Sequence, residues 1–333
     1  MVKKVSMIIP CFNVPLTALD RMMRSVFNQN YSNIEIIMVN DGSTDDTLGR
    51  LKKWEMLFNE RGFITKIFSK INGGIASAIN VGLSHFTGDF VCFPDADDIL
   101  SPEYVSRMIS SLEKEPATDW ARCFADVVDG NSMEECLGFF EYPDPLDQLR
   151  SNKDFIDYLL QRIEATVCVV MVRSCFFRKC IPSLTLNENF GPQEWQILLP
   201  LSFYGKCCHV PEVLYTRVKY PSSHFHRGIS SFENYERHTE LDRESQMKTL
   251  RDLPINNLEL CYDMANLGYL MPLRMRFEKE NSRVCASELH KLCKKYLENP
   301  PEIENLIKKH YFLFYINALG RYFDNYIDKS SIV

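Results

Sequence analysis

The spacing of apolar positions in the first half of the chain predicts an alternating order of strands and helices. Residues 34–39 form a nearly continuous apolar run, as strands buried on both faces of a sheet do. Strands separated by helices of ten or more residues indicate βαβ units, so we expect an α/β fold with a mainly parallel sheet. The predicted strands are 5–10, 34–39, 64–68 and 89–93, and the predicted helices are 16–28, 44–58, 75–85 and one that opens at Ser101-Pro102-Glu103 with Ser101 as its cap.

The second half of the chain changes character at about residue 230. Before that point we expect strands over 120–128, 166–172, 206–210 and 213–218 and helices over 153–161 and 193–203. Beyond it glycine becomes rare, and helical periodicity extends over 235–250, 287–297 and 303–328. We therefore predict two parts, an α/β domain over 1–228 and a helical C-terminal region over 229–333.

Composition narrows the classes of partner. The chain has 333 residues and a formal net charge of −6, so no basic excess points to a nucleic acid. The first apolar run is too short for a signal peptide, and no run approaches the ~18 apolar residues of a membrane span. The 12 cysteines lie scattered among apolar residues without a Cys-x-x-Cys pair, which favours reduced core thiols and a cytoplasmic location.

Three acidic residues at the end of the fourth predicted strand are the strongest chemical signal. Asp95, Asp97 and Asp98 follow the apolar run 90–93, and Asp95 and Asp97 point the same way in an extended chain. Such a pair of carboxylates suits Mg²⁺ or Mn²⁺ with a substrate phosphate as a further ligand. The alternative is a solvated acidic turn, in which aspartate is common.

Polar clusters follow three of the predicted strands. They are Pro10 to Asn13, Asn40 to Ser43, and the Asp95/Asp97 pair. In an open parallel sheet, ligands bind at the carboxyl ends of the strands. Because the chain has no Gly-x-x-x-x-Gly-Lys loop, the charge of a bound diphosphate would need a cation. The pattern therefore favours a nucleoside diphosphate bound with a divalent metal.

Five ordered motifs in the first hundred residues resemble family 2 of the inverting glycosyltransferases, which share the GT-A nucleotide-sugar-binding fold. They are residues 8–13, 39–45, 72–74 with 80–82, 87–89 and 94–98. The likeness is weaker over 100–228, and we see none beyond. It implies a UDP-sugar donor, Mn²⁺ or Mg²⁺ as cofactor, and an acceptor hydroxyl on a glycan or lipid-linked glycan of a bacterial surface polysaccharide.

The resemblance also implies roles at the donor. Phe12 would stack on or border the uracil, although a strand-end Phe could be core. Asp41 would bond the uracil or ribose, or form an Asx-turn or helix cap, and both could hold. Ile79 departs from the Arg common in the family. The implied donor contacts are Pro10, Phe12, Asn13, Asp41, Gly73, Asn80, Asp95, Ala96 and Arg217, and the implied metal ligands are Asp95 and Asp97. His224 and His226 alternate in an extended chain, so both can face the site, as metal ligand or phosphate donor, and we assign His224 to the donor and His226 to the metal.

The catalytic base is predicted from the second half. The family often supplies an Asp from a Glu-Asp pair opening a helix, and here Gln193-Glu194 stands at that place. Glu194 would remove the proton of the acceptor hydroxyl. Its alternative role is a favourable charge at a helix N-terminus.

The C-terminal region leaves two interpretations open. Its basic and aromatic end, from Lys308 to Phe323, could contact a membrane surface or a partner, or it could pack on neighbouring helices. The prediction for the whole chain is a metal-dependent inverting glycosyltransferase. Its rivals are a nucleotide-sugar-binding protein without turnover and a sugar nucleotidyltransferase, which would need a glycine-rich activating loop that Pro10 to Pro15 does not provide.

Overall fold

The structure is a computed structural model that describes residues 2–133, 136–140, 154–220, 232–276, 282–302, 309–326 and 332. The chain forms two compact units. The first comprises residues 1–152 and 166–226, and the second comprises 153–165 and 227–333. Residues 153–165 thus group with the C-terminal helices. The boundary predicted at residue 228, as a limit of the catalytic domain, stays a prediction.

The first part of unit 1 is built from βα repeats. Its strands are β1 (Val5–Cys11), β2 (Ile34–Asp41), β3 (Ile64–Lys70) and β4 (Phe90–Cys92), and its helices are α1 (Leu16–Phe27), α2 (Thr47–Arg61) and α3 (Ile75–Leu83). These four strands are parallel and lie in the order β3-β2-β1-β4. All eight residues of β2 are buried, as its continuous apolar run predicts. The parallel register brings the polar strand ends to one edge of the sheet.

The second part of unit 1 makes the sheet mixed. It contributes β5 (Ile99–Leu100), β6 (Trp120–Asp129), β7 (Cys136–Phe140), β8 (Val170–Arg173) and β9 (Cys207–Lys219), with α4 (Tyr104–Lys114), α6 (Ser174–Cys180) and α7 (Gln193–Tyr204). The sheet continues from β4 in the order β8-β6-β9-β5, with β7 beside β6. β6 and β9 are parallel, whereas β8 is antiparallel to both β4 and β6. The predicted α/β class with a mixed sheet is confirmed.

Unit 2 is helical. It consists of α5 (Asp154–Leu159), α8 (Phe232–Arg251), α9 (Leu258–Arg276), α10 (Ser282–Tyr296) and α11 (Lys309–Tyr326). Ile316, Leu319 and Phe323 of α11 are buried, and Phe323 packs edge-on against Tyr296 at 5.1 Å. None of the described helices combines the length and apolar character that a membrane crossing requires.

Several predicted elements differ from the observed ones. Ser101 is not the cap of α4, which starts at Tyr104; Ser101 Oγ accepts instead from the N–H of Glu103 in the preceding turn. The strands predicted over 206–210 and 213–218 are one strand, β9, because it pairs with β6 through a register shift rather than a break. The sequence pattern missed α6, α9, β5 and β7.

Candidate active site

The acidic cluster lies at the carboxyl end of β4 and is held there by β9. The N–H of Asp95 donates to the hydroxyl of Tyr215 at 3.0 Å, and the N–H of Val218 donates to Oδ1 of Asp98 at 2.8 Å. Asp98 is 4% exposed, and this bond fixes the backbone of Val218. Asp95 and Asp97 are half-buried, and residues 96 and 97 lie in a turn rather than in an extended strand.

Burial and mutual repulsion set the acidity of these groups. Burial, and next the charge of Asp97, raises the pKa of Asp95 to about 6. Burial likewise raises the pKa of Asp97, and burial with the charges of Asp95 and Asp97 raises that of Asp98 well above its ordinary value. The guanidinium of Arg217 lowers all three pKa values but does not outweigh the other effects. Full ionisation of the three carboxyl groups is therefore unfavourable, and a bound cation would make it less so.

Residues that the sequence prediction did not assign complete this cluster. Cys168 is buried, and the ligand atoms of Asp95, Asp98 and Cys168 all lie within 4.8 Å of one another. Arg21 of α1 lowers the pKa of Asp97 and donates to the Tyr220 hydroxyl at 2.5 Å. Cys168 precedes an apolar strand without any polar neighbour pattern, so nothing in its sequence context marks it.

The donor set fits a divalent cation. Asp95 and Asp97 offer hard oxygen atoms at a place where buried negative charge exceeds the positive charge of Arg217. Asp98 accepts from the N–H of Val218 at Oδ1, and the group of ligand atoms within 4.8 Å of one another consists of Asp95, Asp98 and Cys168 and does not include Asp97. The third predicted ligand, His226, lies outside the described residues, as does His224.

Asp41 organises the loop after β3. Only 2% of Asp41 is exposed, and its carboxylate is paired with Lys70 Nζ at 2.7 Å. The carboxylate also accepts from Asn72 Nδ2 at 3.2 Å and from the N–H groups of Gly73 and Gly74 at 3.1 and 2.8 Å. These hydrogen bonds hold residues 72–74, which we call the glycine loop, at the edge of the sheet. Lys70 was not predicted, although a basic residue at a strand end is a readable signal.

The glycines of this loop are required by space and by backbone conformation. A Cβ on Gly73 would lie 2.7 Å from Ser77 Oγ and 2.8 Å from Lys70 Nζ. Gly74 has φ +85° and Gly42 has φ +73°, and a Cβ on Gly42 would lie only 2.5 Å from the backbone N of Asn72. The backbone at Asn72 therefore lies close to the turn that follows β2.

The end of β1 forms the neighbouring side of the edge. Phe12 is 44% exposed, so it is not the core residue of the alternative interpretation. Asn13 has φ +46°, and its Oδ1 accepts from the N–H of Thr44 at 2.8 Å, while its own N–H donates to Ser43 Oγ at 3.0 Å. Asn13 thus joins the β1 end to the β2 turn. Pro10 is half-buried within β1.

The remaining predicted residues lie on other elements of unit 1. Ala96 is buried between the two aspartates, and Arg217 lies on β9 opposite Val127. Asn80, on α3, bonds to the backbone of Leu186 at 2.7 and 2.9 Å. Glu194 lies in the first turn of α7, where Gln193 Nε2 donates to its Oε1 at 2.9 Å. The roles assigned to these residues stay predictions.

A pocket adjoins the Asp41 loop. It has a volume of about 670 Å³ and is lined in part by Asn40, Gly42, Ser43, Lys70 and Asn72. It is an open depression at the carboxyl ends of β2 and β3, on the edge of the sheet where ligands of open α/β sheets bind.

Comparison with known proteins identifies the family. Residues 6–179, just over half of the chain, match glycosyl transferase family 2. An uncharacterized glycosyltransferase of Haemophilus influenzae is 38% identical over 110 residues, which are 33% of either protein. Glycosyltransferase GlyA of Streptococcus pneumoniae is 33% identical over 141 residues, which are 42% of this chain and 18% of GlyA. The chain thus spans a third or less of the length of these two relatives.

Solved structures with the same fold cover nearly the whole chain. Residues 1–349 of TarS from S. aureus, crystallised with UDP-GlcNAc, align with a TM-score of 0.62 at 16% identity, over 97% of this chain and 89% of that one. The mannosyltransferase PcManGT of Pyrobaculum calidifontis, in complex with GDP-Man and Mn²⁺, aligns with a TM-score of 0.54 at 15% identity, over 98% and 88%. The sheet is therefore of the GT-A type, and the chain belongs to glycosyl transferase family 2.

Proposed function

We propose that this protein transfers a hexose or an N-acetylhexosamine from a UDP-sugar to an acceptor hydroxyl, with inversion and with a divalent cation. The observation that carries the proposal is the buried Asp95–Asp98 cluster, whose negative charge Arg217 balances only in part. It belongs to the same sheet as the glycine loop held by Asp41. The complexes of TarS with UDP-GlcNAc and of PcManGT with GDP-Man and Mn²⁺ support this choice of ligands.

The donor is bound along the carboxyl ends of β1, β2 and β4 in this proposal. The exposed ring of Phe12 stacks on the uracil, and Asn13 and Asp41 shape the nucleotide pocket around it. Asp95 and Asp97 would hold Mn²⁺ or Mg²⁺, and Arg217 is the nearby protein cation. The bound metal supplies positive charge that stabilises the departing UDP.

Glu194 acts as the general base. Its carboxylate takes the proton of the acceptor hydroxyl as that oxygen attacks the anomeric carbon from the face opposite the diphosphate. The new C–O bond forms while the bond between the anomeric carbon and the UDP oxygen breaks, which inverts the configuration. Gln193, which is 5% exposed, donates to Glu194 Oε1 and restricts the side chain.

The acceptor and its setting follow from the family resemblance. We propose a glycan or lipid-linked glycan of surface polysaccharide synthesis, and a cytoplasmic site of action that the reduced, mostly buried cysteines of the described residues support. Peripheral membrane contact would have to use surfaces other than Ile316, Leu319 and Phe323, because these side chains pack inside unit 2.

Calorimetry with UDP and MnCl₂ tests the donor site. Asp95→Ala combined with Asp97→Ala removes the carboxylates that would hold the cation, so Mn²⁺-dependent UDP binding should be lost. Asp89→Ala is the matched control, since this carboxylate stands just before β4, at the opposite end of the strand, and accepts from the N–H of Lys4. The control should bind UDP as the wild type does. Unchanged affinity in the double variant contradicts the metal role.

Turnover with a panel of UDP-sugars tests the activity itself. We expect UDP release from one or a few donors, stimulated by a bacterial glycan or lipid-linked acceptor extract. UDP binding without hydrolysis or transfer for every donor would instead favour a nucleotide-sugar-binding protein.

A further inference from the structure

Two side-chain amides hold the segment that connects α6 to α7. This segment, residues 181–192, contains no helix or strand. Asn80 of α3 donates from Nδ2 to the carbonyl of Leu186 at 2.9 Å and accepts at Oδ1 from the N–H of Leu186 at 2.7 Å. Gln196 of α7 accepts at Oε1 from the N–H of Asn187 at 2.7 Å and donates from Nε2 to its carbonyl at 3.1 Å.

Each amide therefore binds both backbone polar groups of one residue, as a neighbouring strand would. Consecutive residues of an extended chain direct these groups to opposite sides, so α3 and α7 hold adjacent residues of the segment from two directions. Leu186 is 2% exposed and Gln196 7%. A buried polar group is costly to leave without a hydrogen bond. The backbone of Leu186 and the side chain of Gln196 therefore each have one strongly preferred conformation.

The two helices that supply the amides also adjoin the two parts of the proposed active site, the donor site and the catalytic base. α3 begins directly after Gly74, whose N–H donates to Asp41 at 2.8 Å on the donor side. α7 carries Glu194 in its first turn, two residues before Gln196. A continuous series of hydrogen bonds and helices thus connects the glycine loop with the proposed base.

We propose that Asn80 and Gln196 are positioning residues that clamp Leu186 and Asn187 and thereby fix the first turn of α7 relative to the glycine loop. The clamp gives Asn80 an indirect role in place of the donor contact that the family resemblance implies. The effect on catalysis rests on the proposed function, because it acts through Glu194. The clamp itself is a property of the fold.

Paired substitutions separate the clamp from general destabilisation. Asn80→Ala and Gln196→Ala remove the two amides, while Asn80→Asp and Gln196→Glu keep the side-chain shape but replace an N–H donor with an oxygen facing a carbonyl. Asn59→Ala is the control, since Asn59 is an exposed amide on α2. Circular dichroism and thermal unfolding establish which variants keep the native fold. If an alanine variant does not fold, Asn80→Asp and Gln196→Glu are used for the test instead.

Limited proteolysis and kinetics read out the two consequences. Chymotryptic cleavage after Leu186 or Phe190 should accelerate about tenfold, because two hydrogen bonds no longer oppose local opening. The kcat for sugar transfer should fall about 10- to 100-fold through misplacement of Glu194. The KM for the donor and the affinity for UDP with MnCl₂ should change by less than about twofold, since the donor contacts remain. Asn59→Ala should match the wild type in all of these.

The outcomes distinguish the inference from the proposed function. Wild-type cleavage rates in folded clamp variants overturn the clamp. Faster cleavage with unchanged kcat overturns its positioning role, as does a loss of UDP affinity that matches the loss of turnover. A wild-type chain that turns over no UDP-sugar contradicts the proposed function, and the cleavage rates then still decide whether the clamp holds the segment.

Discussion

The acidic side chains of the candidate site differ in how their charge is balanced. Asp41 is paired with Lys70 and accepts three further groups of the loop, so its negative charge is matched within the protein. Asp95, Asp97 and Asp98 share the positive charge of Arg217, with Arg21 acting on Asp97. The carboxylate of Asp41 therefore stabilises the loop of residues 72–74. In the acidic cluster the carboxylates repel one another, and a bound cation would reduce this repulsion.

Asp95→Asn should stabilise the metal-free protein at neutral pH. Burial and Asp97 raise the pKa of Asp95 to about 6, so the folded state binds a proton more tightly than the unfolded chain. Stability from this group is thus greatest at low pH and declines as the pH rises to about 6. In EDTA at pH 7.5 the free energy of unfolding should increase by about 1 to 3 kcal/mol in the variant. Urea unfolding between pH 4.5 and 8 measures it.

Added MnCl₂ provides the control for this stabilisation. The cation should raise the melting temperature of the wild type, because it binds the folded state alone, and should raise that of Asp95→Asn little or not at all. A variant that is less stable than the wild type in EDTA at pH 7.5, or whose advantage is the same at pH 4.5, would show that the cluster is not under electrostatic strain.

At the scale of elements, the carboxyl ends and the amino ends of the parallel strands carry different polar groups. The carboxyl ends present the glycine loop and the acidic cluster, while the amino ends are tied by Glu35 of β2. Glu35 is 1% exposed and accepts from Ser6 of β1, from Lys66 of β3 and from Thr87 ahead of β4. One buried carboxylate thereby joins β1, β2 and β3 to the segment that leads into β4.

Glu35→Gln should destabilise the protein strongly and in a pH-dependent way. Burial alone would raise the pKa of Glu35, but the hydrogen bonds from Lys66, Ser6 and Thr87 outweigh it and lower the pKa. A lowered pKa gives stability that is present above the unfolded value and is lost as the pH falls through the folded value. We expect a loss of about 2 to 4 kcal/mol at pH 7, because an amide N–H₂ would face other donors.

Chemical denaturation at pH 7 and near pH 3 measures this difference. The gap between the variant and the wild type should narrow at the lower pH, where Glu35 of the wild type takes up its proton. Glu60→Gln on the exposed side of α2 should change stability by less than about 0.5 kcal/mol. A deficit that does not depend on pH would mean that packing, and not the charge of Glu35, joins the strands.

At the scale of the whole molecule, the sequence predicted the first part of unit 1, with β1 to β4, better than the rest. β1 to β4 follow from apolar runs that end in polar motifs, and these local signals agree with the observed strands to within two residues at most ends. Residues 72–74 were identified as a motif of the family resemblance, whereas their hydrogen bonds to Asp41 are seen only in the structure.

The second part of unit 1, with β5 to β9, depends on contacts between residues far apart in the chain. β8 lies between β4 and β6 although it comes later in the sequence, and no local pattern encodes that order. Tyr215 reaches the N–H of Asp95 across 120 positions, and Asn80 reaches Leu186 across 106. Such pairings depend on tertiary structure, so single-sequence reasoning found the residues at the strand ends but not their partners.

The proposed base, Glu194, lies in the second part of unit 1, whereas the proposed donor contacts lie mainly in the first part. Glu194→Gln tests the proposal. The amide keeps the size of the side chain but cannot accept the hydroxyl proton, so kcat should fall about 10²- to 10⁴-fold while UDP affinity is unchanged. Glu194→Asp should retain more activity because it keeps a carboxylate. Glu103→Gln, at the start of α4, is the control for a helix-terminal charge, which is worth about 0.3 to 1 kcal/mol of stability. Steady-state transfer rates and thermal unfolding distinguish the two roles: if Glu194→Gln behaves as Glu103→Gln does, with a small loss of stability and full turnover, Glu194 serves the helix and the base is another residue.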